Sequence, residues 1–119
     1  MAHSLGFDAT LSIRDEFDPR RLEFITDDSI NLFDEWWVDE ENHTLTITCA
    51  MNTNDVVGYL KEVLNALRSF AKYICDDEDA YLIDTDASWP AGWRFVFKNG
   101  DVKCYEGMMI FVEEVSDLL

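Results

Sequence analysis

Apolar and polar residues alternate at two places in the first half of the chain, and a two-residue period predicts β-strands. Residues 7–13 place alternate apolar side chains, from Phe7 to Ile13, on one face. Residues 43–50 do the same with threonines between the apolar positions, and threonine suits an exposed strand face. Residues 33–38 form a further predicted strand, and a polar turn joins it to residues 43–50 as an antiparallel hairpin.

The C-terminal part of the chain is also predicted to be rich in strands. Two of them lie at residues 80–85 and 93–98. Asn99 and Gly100 follow, and this pair is typical of the type I′ turn of a tight hairpin because both residues accept a positive φ. The chain is then predicted to return as a strand, with a bend or bulge at Gly107 before it continues at residues 109–112.

The spacing changes between residues 55 and 75, where apolar residues recur at intervals of three and four. This period predicts one long amphipathic helix, with Thr53 or Asn54 as its N-cap. Asp55 lies at the N-terminal end, where the helix dipole favours an acid. The apolar face consists of Val56, Leu60, Val63, Leu64, Leu67, Phe70, Ala71 and Ile74.

Asp18 followed by Pro19 is typical of an N-cap and a first helical position. A short N-terminal helix is therefore predicted, with Leu22, Phe24 and Ile25 packed inward. The order of elements predicts an α+β fold: a mainly antiparallel β-sheet with one long amphipathic helix packed on one face, plus the short N-terminal helix. The 119 residues are expected to form one α+β domain, residues 1–119.

The net charge is unusual, because 25 acids stand against 9 bases and leave a formal charge of -16. Such a balance disfavours direct binding to nucleic acid or to an anionic membrane, since both need Lys and Arg. It fits solubility, a halophilic host, or attraction of a basic partner. The 13% of aromatic residues, which include 8 Phe and 4 Trp, argue against disorder and against a halophile.

Cysteine usage and the N-terminus predict a cytoplasmic protein. Cys49, Cys75 and Cys104 are widely spaced, lie in apolar neighbourhoods and match no zinc-ligand pattern, so reduced core thiols are expected. The N-terminus has no basic segment followed by an apolar one, so no signal peptide is predicted. The longest apolar runs are far shorter than a membrane span.

The chain contains no motif of a catalytic nucleophile, a P-loop, a dinucleotide site or a zinc protease. The stretch from Asp84 to Ser88 resembles the start of a calcium loop, but positions 6 and 12 hold Trp89 and Phe95 where an EF-hand needs Gly and Glu. The 2 histidines lie outside any nucleophile motif. The sequence therefore predicts no catalytic residue, no metal, no cofactor and no enzymatic activity.

Acids gather in two stretches, residues 34–41 and 76–86. In the first, Trp36 and Trp37 point to opposite faces of a strand, so one enters the core and the other is exposed or covered by the short helix. An exposed aromatic residue rimmed by acids is typical of an interface with a basic protein. In the second, residues 76–79 follow the long helix, where acids oppose its dipole. The predicted partner-binding residues are Asp34, Glu35, Trp36, Trp37, Asp39, Glu40, Glu41, Asp76, Asp77, Glu78, Asp79, Asp84, Asp86 and Trp89.

These features predict a monomer or weak homodimer that inhibits a basic protein by occupying its nucleic-acid-binding surface, for example that of a nuclease. Carboxylates would then stand in for phosphates and bind Arg and Lys. In size and charge the chain resembles small acidic inhibitors of phages, such as anti-restriction and anti-CRISPR proteins. Two other classes stay open: an immunity protein that neutralises a basic nuclease toxin, and a small enzyme or metal-dependent module.

Overall fold

A computed structural model describes residues 3–21, 32–84 and 91–108. Its strands and helix are β1 (His3–Ser12), β2 (Glu35–Asp39), β3 (Thr44–Thr53), α1 (Val56–Phe70), β4 (Asp79–Asp84), β5 (Ala91–Lys98) and β6 (Asp101–Met108). The strands form a 6-stranded sheet in the order β2-β3-β1-β4-β5-β6, and every neighbouring pair is antiparallel. The α+β class and the mainly antiparallel sheet with one long helix are therefore confirmed.

Strand β1 lies inside the sheet and fixes the position of its neighbours. Phe7 stands opposite Cys49 of β3 on one side and Leu82 of β4 on the other. All three side chains are buried, because the register aligns the apolar alternation of the three strands on one face. That face carries the core.

Helix α1 covers the apolar face of the sheet. The buried positions of the helix recur at three- and four-residue spacing, as the sequence predicts. Near its N-terminal end Tyr59 contacts Cys49 of β3, and at its C-terminal end Phe70 stacks on Phe97 of β5. The helix therefore crosses the sheet from β3 toward the β5–β6 hairpin. The helical residues that it buries are Tyr59, Val63, Ala66, Leu67 and Phe70.

Both ends of α1 differ from the predicted helix at residues 55–75. The N-cap is Asp55, whose side chain accepts a hydrogen bond of 2.9 Å from the backbone N–H of Gly58, and not Thr53 or Asn54. At the other end a short 3₁₀ segment, Ala71–Tyr73, follows the helix. The chain then becomes extended because Ile74 forms a bridge with Ile13 beyond the end of β1.

The predicted short N-terminal helix is wrong. The described residues show only a single 3₁₀ turn at residues 19–21. The Asp18 carboxylate accepts hydrogen bonds from the backbone N–H and the guanidinium of Arg20, as an N-cap does, but the turn that follows is 3₁₀ and not an α-helix. The inward positions proposed for that helix, Leu22, Phe24 and Ile25, lie outside the described residues.

Both predicted hairpins are present. Strands β2 and β3 pair antiparallel, and β5 and β6 are joined at Asn99 and Gly100, whose φ values are 52° and 75°. The bend or bulge expected at Gly107 is wrong, because β6 keeps a continuous register with β5 past this residue and Gly107 stands opposite Gly92. Residues 109–112, predicted to continue the strand, lie outside the described residues.

The cysteines are free, but they do not all belong to the core. Cys49 is buried, Cys75 is partly buried and Cys104 is exposed. Cys104 stands opposite the buried Phe95, but β6 is an edge strand and the thiol is exposed. The expectation of three core thiols is therefore wrong for Cys104. No helix among the described residues is long and apolar enough to cross a membrane.

Candidate functional site

The first acidic stretch lies at an edge of the sheet, because β2 pairs only with β3. Trp36 stands opposite Ile47 and packs partly buried against the core. Trp37 stands opposite Thr46 on the face that α1 does not cover, which we call the open face, and it is 48% exposed. An exposed indole therefore stands on an edge strand among acids.

The carboxylates of this stretch fall into two groups. Asp34 accepts a hydrogen bond of 2.8 Å from the backbone N–H of Ala50, and Asp39 accepts from the backbone and side chain of Asn42. The pKa of Asp39 is lowered, first by the backbone N–H of Asn42 and then by its side chain. These two acids hold the hairpin in shape.

The remaining acids of the stretch, Glu35, Glu40 and Glu41, are exposed and form no ion pair with any base in the described part of the chain. Arg20 is a base whose pKa is affected by one of these acids, but it forms no ion pair with that acid. Its pKa is raised first by its hydrogen bond to Asp18 and further by the charge of Glu40, but its ion pair is with Asp18 at 3.1 Å. The three glutamates around Trp37 are therefore without an ion-pair partner among the described residues.

The second acidic stretch is arranged differently, because its carboxylates bind other parts of the protein. Asp76 accepts from the backbone N–H of Asn99 at 2.8 Å and pairs with Arg14 at 2.7 Å. Asp77, which has a φ of 67°, pairs with Lys98 at 3.2 Å.

The next two residues continue this pattern. Glu78 accepts a hydrogen bond from the backbone N–H of Ser12, at the end of β1. Asp79 pairs with Arg94 at 2.9 Å and also accepts from the hydroxyl of Tyr81. Residues 76–79 thus tie the entry of β4 to β1 and to the β5–β6 hairpin. They also occupy three bases that would otherwise offset the negative charge elsewhere.

The other predicted residues of the second stretch do not add to a surface. Asp84 is only 4% exposed and lies 2.8 Å from His3, so its side chain is not available at the surface. Asp86 and Trp89 lie outside the described residues. The structure does not merge residues 34–41 and 76–86 into one unpaired field, because the described acids of the second stretch are engaged within the fold.

The open face carries functional candidates that the sequence reading missed. The strand registers align one row of side chains across all six strands. In this row Arg94 stands between Tyr81, which is 47% exposed, and Tyr105, which is also exposed. The alternation of residues along β4 and β6 could have indicated these tyrosines, because both fall on positions that point away from the core. From β2 to β6 the row reads Glu35, Thr48, Asp8, Tyr81, Arg94 and Tyr105.

Two depressions flank the ridge formed by Tyr81 and Ile83 on the open face. The first, which we call the β1 depression, has a volume of about 470 Å³ and is lined by Gly6, Asp8, Asp34, Thr48, Tyr81 and Ile83. The second has a volume of about 340 Å³ and lies toward Trp93, Arg94 and Tyr105. Both lie near the lower limit of typical ligand sites, so they suit a side chain or a small molecule.

Comparison of the chain with protein-family models, curated proteins and solved structures found no match. Within residues 3–21, 32–84 and 91–108, no group of three or more His, Cys, Asp or Glu is placed to hold a metal ion. On the core face, under α1, the thiol of Cys49 lies 2.9 Å from the hydroxyl of Tyr59, and burial is the main cause that raises both pKa values. Raised values keep both groups protonated, which makes neither a nucleophile near neutral pH.

The contacts of Asp76 predict a stability effect with a defined pH range. The pKa of its carboxyl lies below the ordinary value of 3.8, first because the backbone N–H of Asn99 donates to it. Asp76→Ala should therefore lower the melting temperature at neutral pH. A lowered folded-state pKa gives stability that is complete above the ordinary value and is lost as pH falls below it. Urea unfolding of both proteins at decreasing pH should show the difference shrinking only below about pH 4; a constant difference would contradict this role of the carboxylate.

Proposed function

We propose that this protein binds a basic surface of a partner protein, a surface that normally holds nucleic acid, and blocks it. One observation carries the proposal: Trp37 stands exposed among Glu35, Glu40 and Glu41, and these acids have no ion-pair partner among the described bases. We call Trp37 and these three acids the β2 surface.

The β2 surface suits this role because it combines two kinds of interaction. Unpaired carboxylates attract a basic groove over a distance, and at contact they form charge-assisted hydrogen bonds with Arg and Lys. An indole contributes apolar contact area and can stack on a guanidinium. In the second acidic stretch Asp76, Asp77 and Asp79 already hold bases of the protein itself. A partner would first have to break those pairs, so the β2 surface is favoured over that stretch.

Affinity capture from a host lysate with two charge-matched variants tests this proposal. The first variant carries Gln at Glu35, Glu40 and Glu41. The control removes the same number of charges from exposed acids outside the β2 surface: Asp15→Asn, Glu16→Gln and Glu62→Gln. We expect the first variant to lose most of the captured partner at physiological salt and the control to retain it. Equal loss in both would mean that net charge alone holds the partner, and no loss in either would contradict the proposal.

Competition identifies the kind of surface that is occupied. Double-stranded DNA or RNA oligonucleotides, added at constant ionic strength, should release the captured partner if the protein occupies a nucleic-acid-binding groove. A salt-matched buffer without nucleic acid controls for screening, since the Debye length falls to about 3 Å at 1 M. A partner that leaves in high salt but not with nucleic acid would contradict the blocking role while leaving binding to a basic protein intact.

A further inference from the structure

The β1 depression owes its shape to the absence of a side chain at Gly6. On the open face Gly6 stands between Ala50 of β3 and Ile83 of β4, one row away from Asp8. Gly6 has no side chain and Ala50 has only a methyl group, so these two residues form the low floor of the depression. The walls therefore come from neighbouring positions, Asp8 and Tyr81 in the next row and Ile83 beside the glycine.

Nothing in the described fold requires glycine at this position. Gly6 does not have a positive φ, and a Cβ atom added to it would meet no atom within 4 Å. Glycine in the interior of a strand weakens the strand, and it often marks a place where another molecule approaches the backbone closely. Gly92, in the same row, differs because its Cβ would lie 3.1 Å from Ile83. The space above Gly6 is therefore open for a ligand group.

The walls of the depression favour a cation. Asp8 is exposed and forms no ion pair among the described residues, and Asp34 is held at the rim by its bond to Ala50. Tyr81 presents a half-exposed ring beside Asp8 on the neighbouring strand β4, and its hydroxyl is held by Asp79 at 3.2 Å. An aromatic ring attracts a cation that lies over its face, and the two carboxylates add to this attraction.

We propose that the β1 depression receives the guanidinium of an arginine side chain from the basic partner, and this proposal rests on the proposed function. A planar guanidinium can stack on Tyr81 while its donors reach the carboxylate of the neighbouring Asp8, and Asp34 adds attraction from the β3 side of the depression. The ammonium of lysine is a compact, strongly hydrated charge and gains less from an aromatic wall. A metal ion is a poorer occupant because the depression offers only two carboxylates.

The depression is continuous with the β2 surface on the open face. Glu35 belongs to the same cross-strand row as Asp8 and Tyr81, and Trp37 stands one row away on β2. Strands are spaced by about 4.8 Å, so β1 lies about 10 Å from β2. One basic segment of the partner can therefore contact Trp37 and place an arginine in the depression at the same time.

The test uses a defined small probe in place of the partner. N-acetyl-argininamide is titrated into ¹⁵N-labelled protein, and backbone amide signals are followed by NMR. We expect saturable shifts centred on Gly6, Asp8 and Ala50. N-acetyl-lysinamide, which has the same charge, should bind several-fold more weakly, and the uncharged N-acetyl-glutaminamide should cause no saturable shift there. Absence of a saturable shift around Gly6 with the arginine probe would overturn the proposal.

Three variants separate the site from the fold. Gly6→Val fills the depression with a side chain that strands favour, so it should abolish the shifts while the melting temperature stays unchanged or rises. Asp8→Asn should weaken the arginine probe by about tenfold, the effect of one charged hydrogen bond. Gly107 lines the second depression, and a Cβ atom added to it would also meet no atom within 4 Å. The control variant Gly107→Val should therefore leave binding of the arginine probe unchanged. If Gly6→Val does not fold, Gly6→Ala and Asp8→Asn carry the test.

The same variants distinguish failure of this inference from failure of the proposed function. Gly6→Val should lower capture of the partner at least several-fold, because the arginine loses its site. If Gly6→Val binds the partner and the arginine probe as wild type does, this inference is wrong and the β2 surface is tested separately by its Gln variants. If those Gln variants leave capture intact but the probe still requires Gly6 and Asp8, the proposed function is wrong and the depression stands as an arginine site for another ligand.

Discussion

Phe70→Ala should lower the free energy of unfolding by about 3–5 kcal/mol, a large part of the 5–15 kcal/mol that stabilises a typical domain. Phe70 is fully buried at the C-terminal end of α1. Its ring stacks on Phe97 with centroids 6.4 Å apart and meets the edge of Phe33 at 6.5 Å. Truncation therefore removes apolar burial and also leaves a cavity where α1, β5 and the segment before β2 meet.

Urea unfolding followed by circular dichroism measures this change. Val57→Ala is the control on the same helix, because Val57 is 63% exposed and its truncation should change the free energy by no more than about 0.5 kcal/mol. A loss below about 1 kcal/mol for Phe70→Ala would mean that the contact between helix and sheet contributes little stability. The described packing of α1 would then be wrong.

Periodicity made this part of the fold predictable from the sequence. The apolar positions of α1 recur every three or four residues and those of β1 every second residue, and each period fixes which side chains share a face. Asn99 and Gly100 likewise favour a tight turn without help from the rest of the chain. Each of these signals is contained within a few neighbouring residues.

The contacts of residues 76–79 could not be predicted in the same way. Asp76 binds Arg14 and Asn99, and Glu78 binds the backbone of Ser12, so the partners come from the end of β1, from the residues just after it and from the β5–β6 turn. Which base meets which acid depends on β1 lying between β3 and β4, and a local pattern does not determine that order. From the sequence alone, a run of acids is interpreted as an exposed charged surface, because its hydrogen-bond and ion-pair partners are known only from the fold.

The Asp18-Pro19 signal failed for a related reason. The pair is compatible with a helix start, but a helix also needs residues that continue it and a face that it can bury. Here Asp18 does cap a turn through the backbone N–H of Arg20, but in the described part of the chain that turn is 3₁₀ and spans only residues 19–21. The open face was missed because the alternation rule marks Tyr81 and Tyr105 as outward without telling whether an outward tyrosine has a role.

The distribution of charge is consistent with a surface kept for a partner. The chain has 9 bases, and five of them pair with an aspartate within the fold. The aspartates of these pairs lie at strand ends and turns, and no described base forms an ion pair with Glu35, Glu40 or Glu41. Unpaired acids beside an aromatic residue repel one another without stabilising the fold, and such a local cost is common at functional sites.

Trp37→Ala should weaken binding of the captured partner by about 30-fold or more, which corresponds to about 2 kcal/mol, while the melting temperature stays nearly unchanged. Trp37 stands on the open face opposite Thr46, outside the core between helix and sheet. Its truncation therefore removes contact area for a partner and little packing of the protein itself. Titration of the purified partner into wild type and variant gives the two dissociation constants.

The neighbouring Trp36 provides the matched control, because the two residues are identical in type and point to opposite faces. Trp36 packs against the core opposite Ile47, so Trp36→Ala should lower the free energy of unfolding by about 2 kcal/mol. At a temperature where it remains folded, it should bind the partner nearly as wild type does. The reverse result, in which Trp36→Ala loses the partner and Trp37→Ala keeps it, would place the contact away from the open face and contradict the role of the β2 surface.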